Sequence, residues 1–218
     1  MRATNPISKV RDHSHTMTQP ETPAHYTDLD AALETAWNIL AEGAGNRRVP
    51  THTPTLATIG TDGAPRMRTV VLRGFETASR QVRFHTDRRS GKINELRADP
   101  RAGLHVYDLQ RKVQLQIDGR VHLHMDDPLA NQAWQQTQPM SRIVYQVTQA
   151  PGTVIDSPLD VTHDIMPDTG FNDGGSENFL VATLQVETLE WLFLDARGHR
   201  RARFTRKGNA WPGTWLVP

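Results

Sequence analysis

With 218 residues, 25 Lys and Arg set against 24 Asp and Glu, and a formal net charge of +1, the chain can bury one sizeable core and carries no bulk excess of basic charge of the kind that draws a protein to nucleic acid or an anionic membrane. Cysteine is absent, which excludes disulfides, thiolate metal sites and cysteine nucleophiles. A hydrophobic share of 37% with 22% charged residues is that of a folded soluble domain, and no apolar run approaches the roughly 18 residues of a membrane helix.

Residues 1–25 are polar, rich in Thr, Pro and His, and lack the apolar centre of a secretory signal, so a disordered tail is expected, with Met17 as an alternative start and a cytoplasmic setting. Residues 26–218 are expected to form one domain. The spacing predicts a first helix over 26–43, where Leu29, Ala32, Leu33, Ala36, Trp37 and Leu40 recur behind a Thr27-Asp28 cap signal, with Gly43 beyond the end. Residues 55–59 alternate as a strand, Thr61-Asp62-Gly63 supplies a hairpin turn, and 66–73 is expected to return as one partner strand. A third strand follows over 82–86, then a short helix over 90–98 halted by Pro100.

Residues 102–107 alternate again. The clearest strand is 112–123, with Val113, Leu115, Ile117, Val121 and Leu123 on one parity and Gln114, Gln116, Asp118 and Arg120 on the other. Asp127-Pro128 opens a helix carrying Leu129, Ala133 and Trp134. Residues 150–177 lack periodicity and are expected to be a long loop or insertion. Strands resume over 179–186 and 189–194, followed by a turn at 196–198 and a last strand through Arg203 and Phe204 towards Trp215. Six or more mostly antiparallel strands that do not alternate with helices favour a closed barrel, mainly β with a few helices.

Chemistry concentrates in two stretches, Arg66-Met67-Arg68-Thr69-Val70-Val71-Leu72-Arg73 and His85-Thr86-Asp87-Arg88-Arg89-Ser90-Gly91-Lys92. The second leaves a strand and enters a helix, where free amides and the helix dipole favour an anion, while Ser90, Lys92 and the arginines add donors and charge. Arg68, reaching the same point from the neighbouring strand, would complete a phosphate site. From spacing alone the plainer reading, solvated charge at strand ends and a helix start, is the favoured one. Arg68 and Arg73 are also five apart, hence on opposite faces of an ideal strand, and share a ligand only across a bulge or strand end.

Arg68-Thr69-Val70-Val71-Leu72-Arg73, then Phe84-His85-Thr86, then Ser90-Gly91-Lys92 resemble, in order, the three FMN-binding stretches of the pyridoxamine 5'-phosphate oxidase family. The similarity continues through residues 113–121 and reappears at Arg203-Phe204 and the terminal Trp215-Leu216-Val217-Pro218. The resemblance implies an antiparallel split β-barrel that forms a homodimer, with FMN between the subunits. It also implies that Arg68 and Lys92 hold the flavin phosphate with Ser90 and Thr86, and that the backbone of Thr69, Val70, Val71 and Leu72 faces the isoalloxazine ring. Gln114 would bond near the ring, Arg203 and Trp191 would join from the C-terminal hairpin, and Arg73, His85 and Gly91 complete the implied cofactor set. No residue is assigned a catalytic role.

The substrate stays open. Oxidases of the family place an Arg-x-His-x-Arg pattern before the final strand, and His199-Arg200-Arg201-Ala202-Arg203 keeps only its last arginine. Ser141-Arg142, Pro151-Gly152 and Glu177-Asn178-Phe179 are more similar to a cyanobacterial-type subfamily of unsettled substrate.

Other constellations have plainer readings. His122 and His124 share a strand face but lack a third ligand fixed by sequence, so no metal is expected. Asp127 before Pro128 is explained as a helix cap rather than half of a carboxylate pair. The expected function is an FMN-dependent oxidoreductase acting on a small molecule. The alternative is a flavin carrier or sensor without turnover, and nucleic-acid and membrane partners are not expected.

Overall fold

The computed structural model of the chain describes residues 23–162 and 174–218. Most of the expected tail, and the centre of the expected 150–177 loop, lie outside those residues. The tail's last residues do have a defined place: Ala24–Tyr26 form a 3-10 turn, and the His25 ring meets Trp191 and Phe193 edge-on at 5.5 and 5.0 Å.

Helix α1, Leu29–Gly45, starts where Asp28 accepts hydrogen bonds from the Asp30 and Ala31 amides at 2.8 and 3.0 Å. Of the expected stripe it buries Ala32, Ala36, Trp37 and Leu40, with Ile39 beside them, while Leu29 and Leu33 are partly buried. Gly43, expected to end it, lies inside it. A Cβ there would strike the Thr51 carbonyl, so this glycine serves the close approach of the turn Pro50–His52 rather than a helix stop.

The strands are β1 Thr55–Ile59, β2 Pro65–Thr69, β3 Leu72–Glu76, β4 Gln81–Asp87, β5 Arg101–Asp108, β6 Val113–His124, β7 Phe179–Phe193, β8 Arg200–Thr205 and β9 Gly213–Leu216. They form one nine-stranded sheet in the order β2-β1-β5-β6-β7-β4-β3, with β8 on β7 and β9 on β8. Every pairing is antiparallel. The inward residues of β1, β3 to β8 and helix α2, Gly91–Ala98, belong to one apolar cluster with α1, so the sheet curls around a single core. No helix among the described residues is long and apolar enough to cross a membrane.

Three expected strand boundaries are corrected. The stretch 66–73 is two strands: β2 pairs with β1 and β3 with β4. The chain changes partner at Val70 and Val71, where the Val70 amide bonds to the Pro54 carbonyl at 3.0 Å. Residues 179–194, expected as two strands, include the single 15-residue β7, which pairs with β4 over its first half and β8 over its second. The C-terminal strand divides into β8 and β9. Helices α3, Pro128–Gln136, and the one-turn α4, Pro139–Arg142, follow β6. Helix α3 lies on β7 over a smaller cluster of Ala130, Ala133, Tyr145, Phe179 and Val181.

Candidate functional site: a cationic cradle beside helix α2

Cross-strand partners share a sheet face, and Arg68 is opposite Leu56 in the β1–β2 ladder. Its side chain therefore runs along the inner face to the end of α2. There Nη1 donates to Thr58 Oγ1 and to the Arg66 carbonyl, and Nη2 donates to Glu95 Oε2 at 2.6 Å. Lys92, in the first turn of α2, donates to Thr86 Oγ1 at 2.8 Å and to Ser90 Oγ at 2.7 Å, both hydroxyls being buried. Lys92 makes no ion pair among the described residues. Burial, and next the charge of Arg68, pull its ammonium below the usual lysine range, against the weaker opposite pull of Asp87 and Glu95. Two cations and two hydroxyls thus meet at the N-terminus of a helix whose first-turn amides have no acceptor within it.

Arg88 and Arg89, expected to add charge at the same point, are engaged elsewhere. Arg89 grips Asp87 through Nε and Nη2 at 3.0 and 2.7 Å and also donates to the Val147 and Thr148 carbonyls. Arg88 donates to the Glu177 carbonyl at 3.1 Å. Both fasten the segments flanking the long loop to the start of α2. Asp87, committed to Arg89, does not neutralise Lys92.

Strand parity separates the remaining expected residues. His85 points away from Thr86, towards α3, and with Arg47, Arg73, Arg83, Gln138 and Ser141 it lines a cleft of about 170 Å³. Arg73 reaches this cleft because β3 shifts register between Leu72 and Gly74. None of the three arginines has a carboxylate partner among the described residues. Burial, then Arg73 and Arg83, lower the His85 pKa to about 3, so its ring is neutral near pH 7, and its buried Nε2 has no hydrogen-bond partner among the described residues. The Tyr145 hydroxyl is pushed up to about 12 by burial, with Arg73 pulling the other way.

Val70 and Leu72 are buried in the core while Thr69 is exposed, and these residues, with Val71, form the crossover between β2 and β3. Gln114 and Arg203 occupy the outer face. Gln114 shares the parity of Gln116, which is opposite Glu190, itself opposite Arg203, and Arg203 bonds to Glu190 through Nε at 2.7 Å. A single chain does not bring them to Lys92. Trp191 is fully buried in the core and stacked on Phe193 at 6.0 Å. Arg142 donates to the carbonyls of Trp134, Gln135 and Thr137, closing the C-terminus of α3. Both His124 nitrogens are committed, to Asp127 Oδ2 at 2.8 Å and Thr183 Oγ1 at 3.0 Å, and Asp127 caps α3 by accepting from the Ala130 amide at 2.8 Å.

Residues 34–125 match the FMN-binding domain of pyridoxamine 5'-phosphate oxidase, a span that contains the whole cradle. Over this segment the chain is similar to the FMN-binding domain of the pyridoxamine 5'-phosphate oxidase family. Pyridoxine/pyridoxamine 5'-phosphate oxidase 2 of Arabidopsis thaliana is 38% identical over 109 residues, covering 47% of this chain and 54% of that protein. The chain thus spans about half the length, or less, of the first curated relatives it matches. A pyridoxamine 5'-phosphate oxidase-related FMN-binding protein from Nostoc punctiforme superposes with a TM-score of 0.70 at 23% identity, covering 84% of this chain and 96% of that one. PhzG from Burkholderia lata, solved with tetrahydrophenazine-1-carboxylic acid, superposes with a TM-score of 0.65 at 23% identity, covering 91% and 98%. At these identities the superpositions show the fold.

The cradle suits FMN by its donor set. A half-buried ammonium whose hydrogen-bond partners are neutral, beside a guanidinium and two hydroxyls, lacks the anion that a terminal phosphate supplies. Thr58, Glu95, Arg83 and Tyr145 escaped the sequence reading. Glu95 is three residues beyond Lys92 on α2, hence on the same helix face, and that spacing was its available signal.

Proposed function

We propose that the chain is an FMN-dependent oxidoreductase whose flavin phosphate is held by Arg68, Lys92, Thr86 and Ser90, with the ring along residues 69–72. The observation that carries this reading is Lys92: an ammonium partly withdrawn from water, hydrogen-bonded to two buried hydroxyls and next to a second cation, is a site prepared for an anion. The names of the curated relatives support oxidation as the reaction class. FMN, when bound, supplies the electron transfer, and the chain's own work is to hold and orient it.

The neighbouring cleft is the substrate side. Arg73 and Arg83 favour an anionic group, and neutral His85 offers a free Nε2 that exchanges a hydrogen bond without adding charge. A volume near 170 Å³, against the roughly 300 to 1,000 Å³ of a complete ligand pocket, admits one end of a small molecule. Gln114 and Arg203 join the flavin from a second copy of the chain, in a homodimer of split barrels.

The test is the visible spectrum of the purified protein, alone and with added FMN. Arg68→Ala and Lys92→Ala each remove a charge-assisted contact worth about 1.5 to 3 kcal/mol, so each is expected to weaken FMN roughly 10- to 100-fold while the fold survives. Absence of flavin absorbance after adding FMN, or unchanged occupancy in both variants, would refute the assignment. The departure at His199 to Arg203 favours a second reading, a flavin carrier without turnover. Repeated cycles of reduction by NADPH or an amine and reoxidation by oxygen would count against it.

A further inference from the structure

The cradle contains a carboxylate that a plain anion site has no use for. Glu95, its side chain 13% exposed, is 2.6 Å from Arg68 Nη2. The same oxygen accepts from the Thr58 hydroxyl at 2.5 Å, and Thr58 in turn accepts from Arg68 Nη1. The three side chains close a ring: the hydroxyl proton of Thr58 is directed at Glu95, so its lone pair faces the guanidinium. With the Arg66 carbonyl as a further acceptor on Nη1, both terminal nitrogens are held, while the Nε–H has no acceptor among the described residues. An arginine free in solution loses its rotamers when it grips an anion. Arg68 has already lost them.

We infer that Glu95, with Thr58, is a positioning residue for the flavin phosphate: it fixes the terminal nitrogens of Arg68 so that the guanidinium meets the phosphate preformed beside Lys92. The opposite role, a counter-ion that the phosphate must displace, would make Glu95 a brake on binding. The inference rests on the placement of the flavin phosphate at Arg68 and Lys92.

The two roles predict opposite signs in one experiment. Dissociation constants for FMN and for riboflavin, which lacks the phosphate, are measured by flavin fluorescence quenching on the full chain, on Glu95→Ala, Glu95→Gln and Arg68→Ala. Glu95→Ala is expected to weaken FMN about tenfold or more and to leave riboflavin within about twofold. Glu95→Gln, which keeps an oxygen for Arg68 and Thr58, is expected to recover most of that loss. FMN binding in Glu95→Ala as tight as or tighter than in the native chain overturns the inference, as does loss of riboflavin in step with FMN, or no recovery in Glu95→Gln. If Arg68→Ala binds FMN as the native chain does, the phosphate placement itself fails, and that outcome is read independently of the Glu95 variants.

Discussion

Arg66 and Arg68 are two apart on β2 and side by side in the sequence motif, yet they differ in use. Arg66 extends outward to Asp62 at 2.7 Å, with both side chains about half exposed, a pairing that salt and solvent make worth little. Arg68 turns to α2. The same division runs through β4, where Thr86 joins Lys92 and its neighbour His85 faces the arginine cleft. His85 carries a testable cost in pH. Its imidazole takes up a proton near pH 6.5 when unfolded but only near 3 in the fold, so between those values the unfolded chain binds more protons and stability falls as pH falls. The loss is up to about 1.4 kcal/mol per pH unit. The urea midpoint is expected to drop between pH 7 and pH 5, and to drop less in His85→Gln. Equal slopes in the two proteins would show that the ring is not held neutral. An anionic ligand near Arg73 and Arg83 offsets their repulsion, so a bound substrate would also ease protonation of His85.

Helix α3 walls the arginine cleft with Ala133 and Gln136, and a bulge in β7 sets that strand's register against β6. Asp127 caps α3 and braces His124 at once, so Asp127→Ala is expected to cost about 1 kcal/mol or somewhat more, read as a lower urea midpoint, while Asp127→Asn keeps most of the cap. The bulge, where Glu187 is the extra residue of β7 opposite Asp118 and Gly119, is less forgiving. A Cβ at Gly119 would collide with the Gln185 carbonyl of β7, a backbone atom held in the ladder, so Gly119→Ala is expected to cost several kcal/mol, of the order of overpacking and strain combined. A midpoint within error of the native value would mean that β6 and β7 slide freely there. These elements also show where the sequence was legible. Alternation in β5 and β6, the Asp28 and Asp127 caps and the apolar stripe of α1 are local signals, and local physics sets them. The break at Val70 and Val71 was hidden because both residues are good strand formers; only the competing partners β1 and β4 divide the segment. In β7, Glu187 and Thr188 resemble a turn between two apolar runs, but Glu187 is the extra residue of a bulge opposite Asp118 and Gly119. The cradle's cations were legible from their order along the chain. Which arginine is spent on which carboxylate was not, because Asp87, Glu95 and Glu190 choose among arginines by tertiary distance.

On the scale of the whole molecule, the expected cofactor residues divide between two faces of one sheet. Arg68, Thr86, Ser90 and Lys92 lie at the inner-face end of α2, whereas Gln114 and Arg203 stand on the outer face of β6 and β8. If all of them serve one flavin, the outer residues come from a second copy, and two-fold symmetry then builds two equivalent sites, each with cradle residues from one chain and outer residues from the other. This geometry makes a complementation test sharp. Arg68→Ala alone and Arg203→Ala alone are each expected to lower FMN occupancy, since every site in either homodimer contains the defect. When the two variants are co-expressed with different tags and mixed dimers are isolated, one site receives both substitutions and the other receives neither. A mixed dimer should therefore bind about one tightly held FMN with the native affinity. If both groups of residues served a flavin within a single chain, mixing would restore nothing and occupancy would stay at the average of the two parents. If Arg203→Ala alone left FMN affinity untouched, Arg203 would be only the partner of Glu190 on an outer face with no flavin near it.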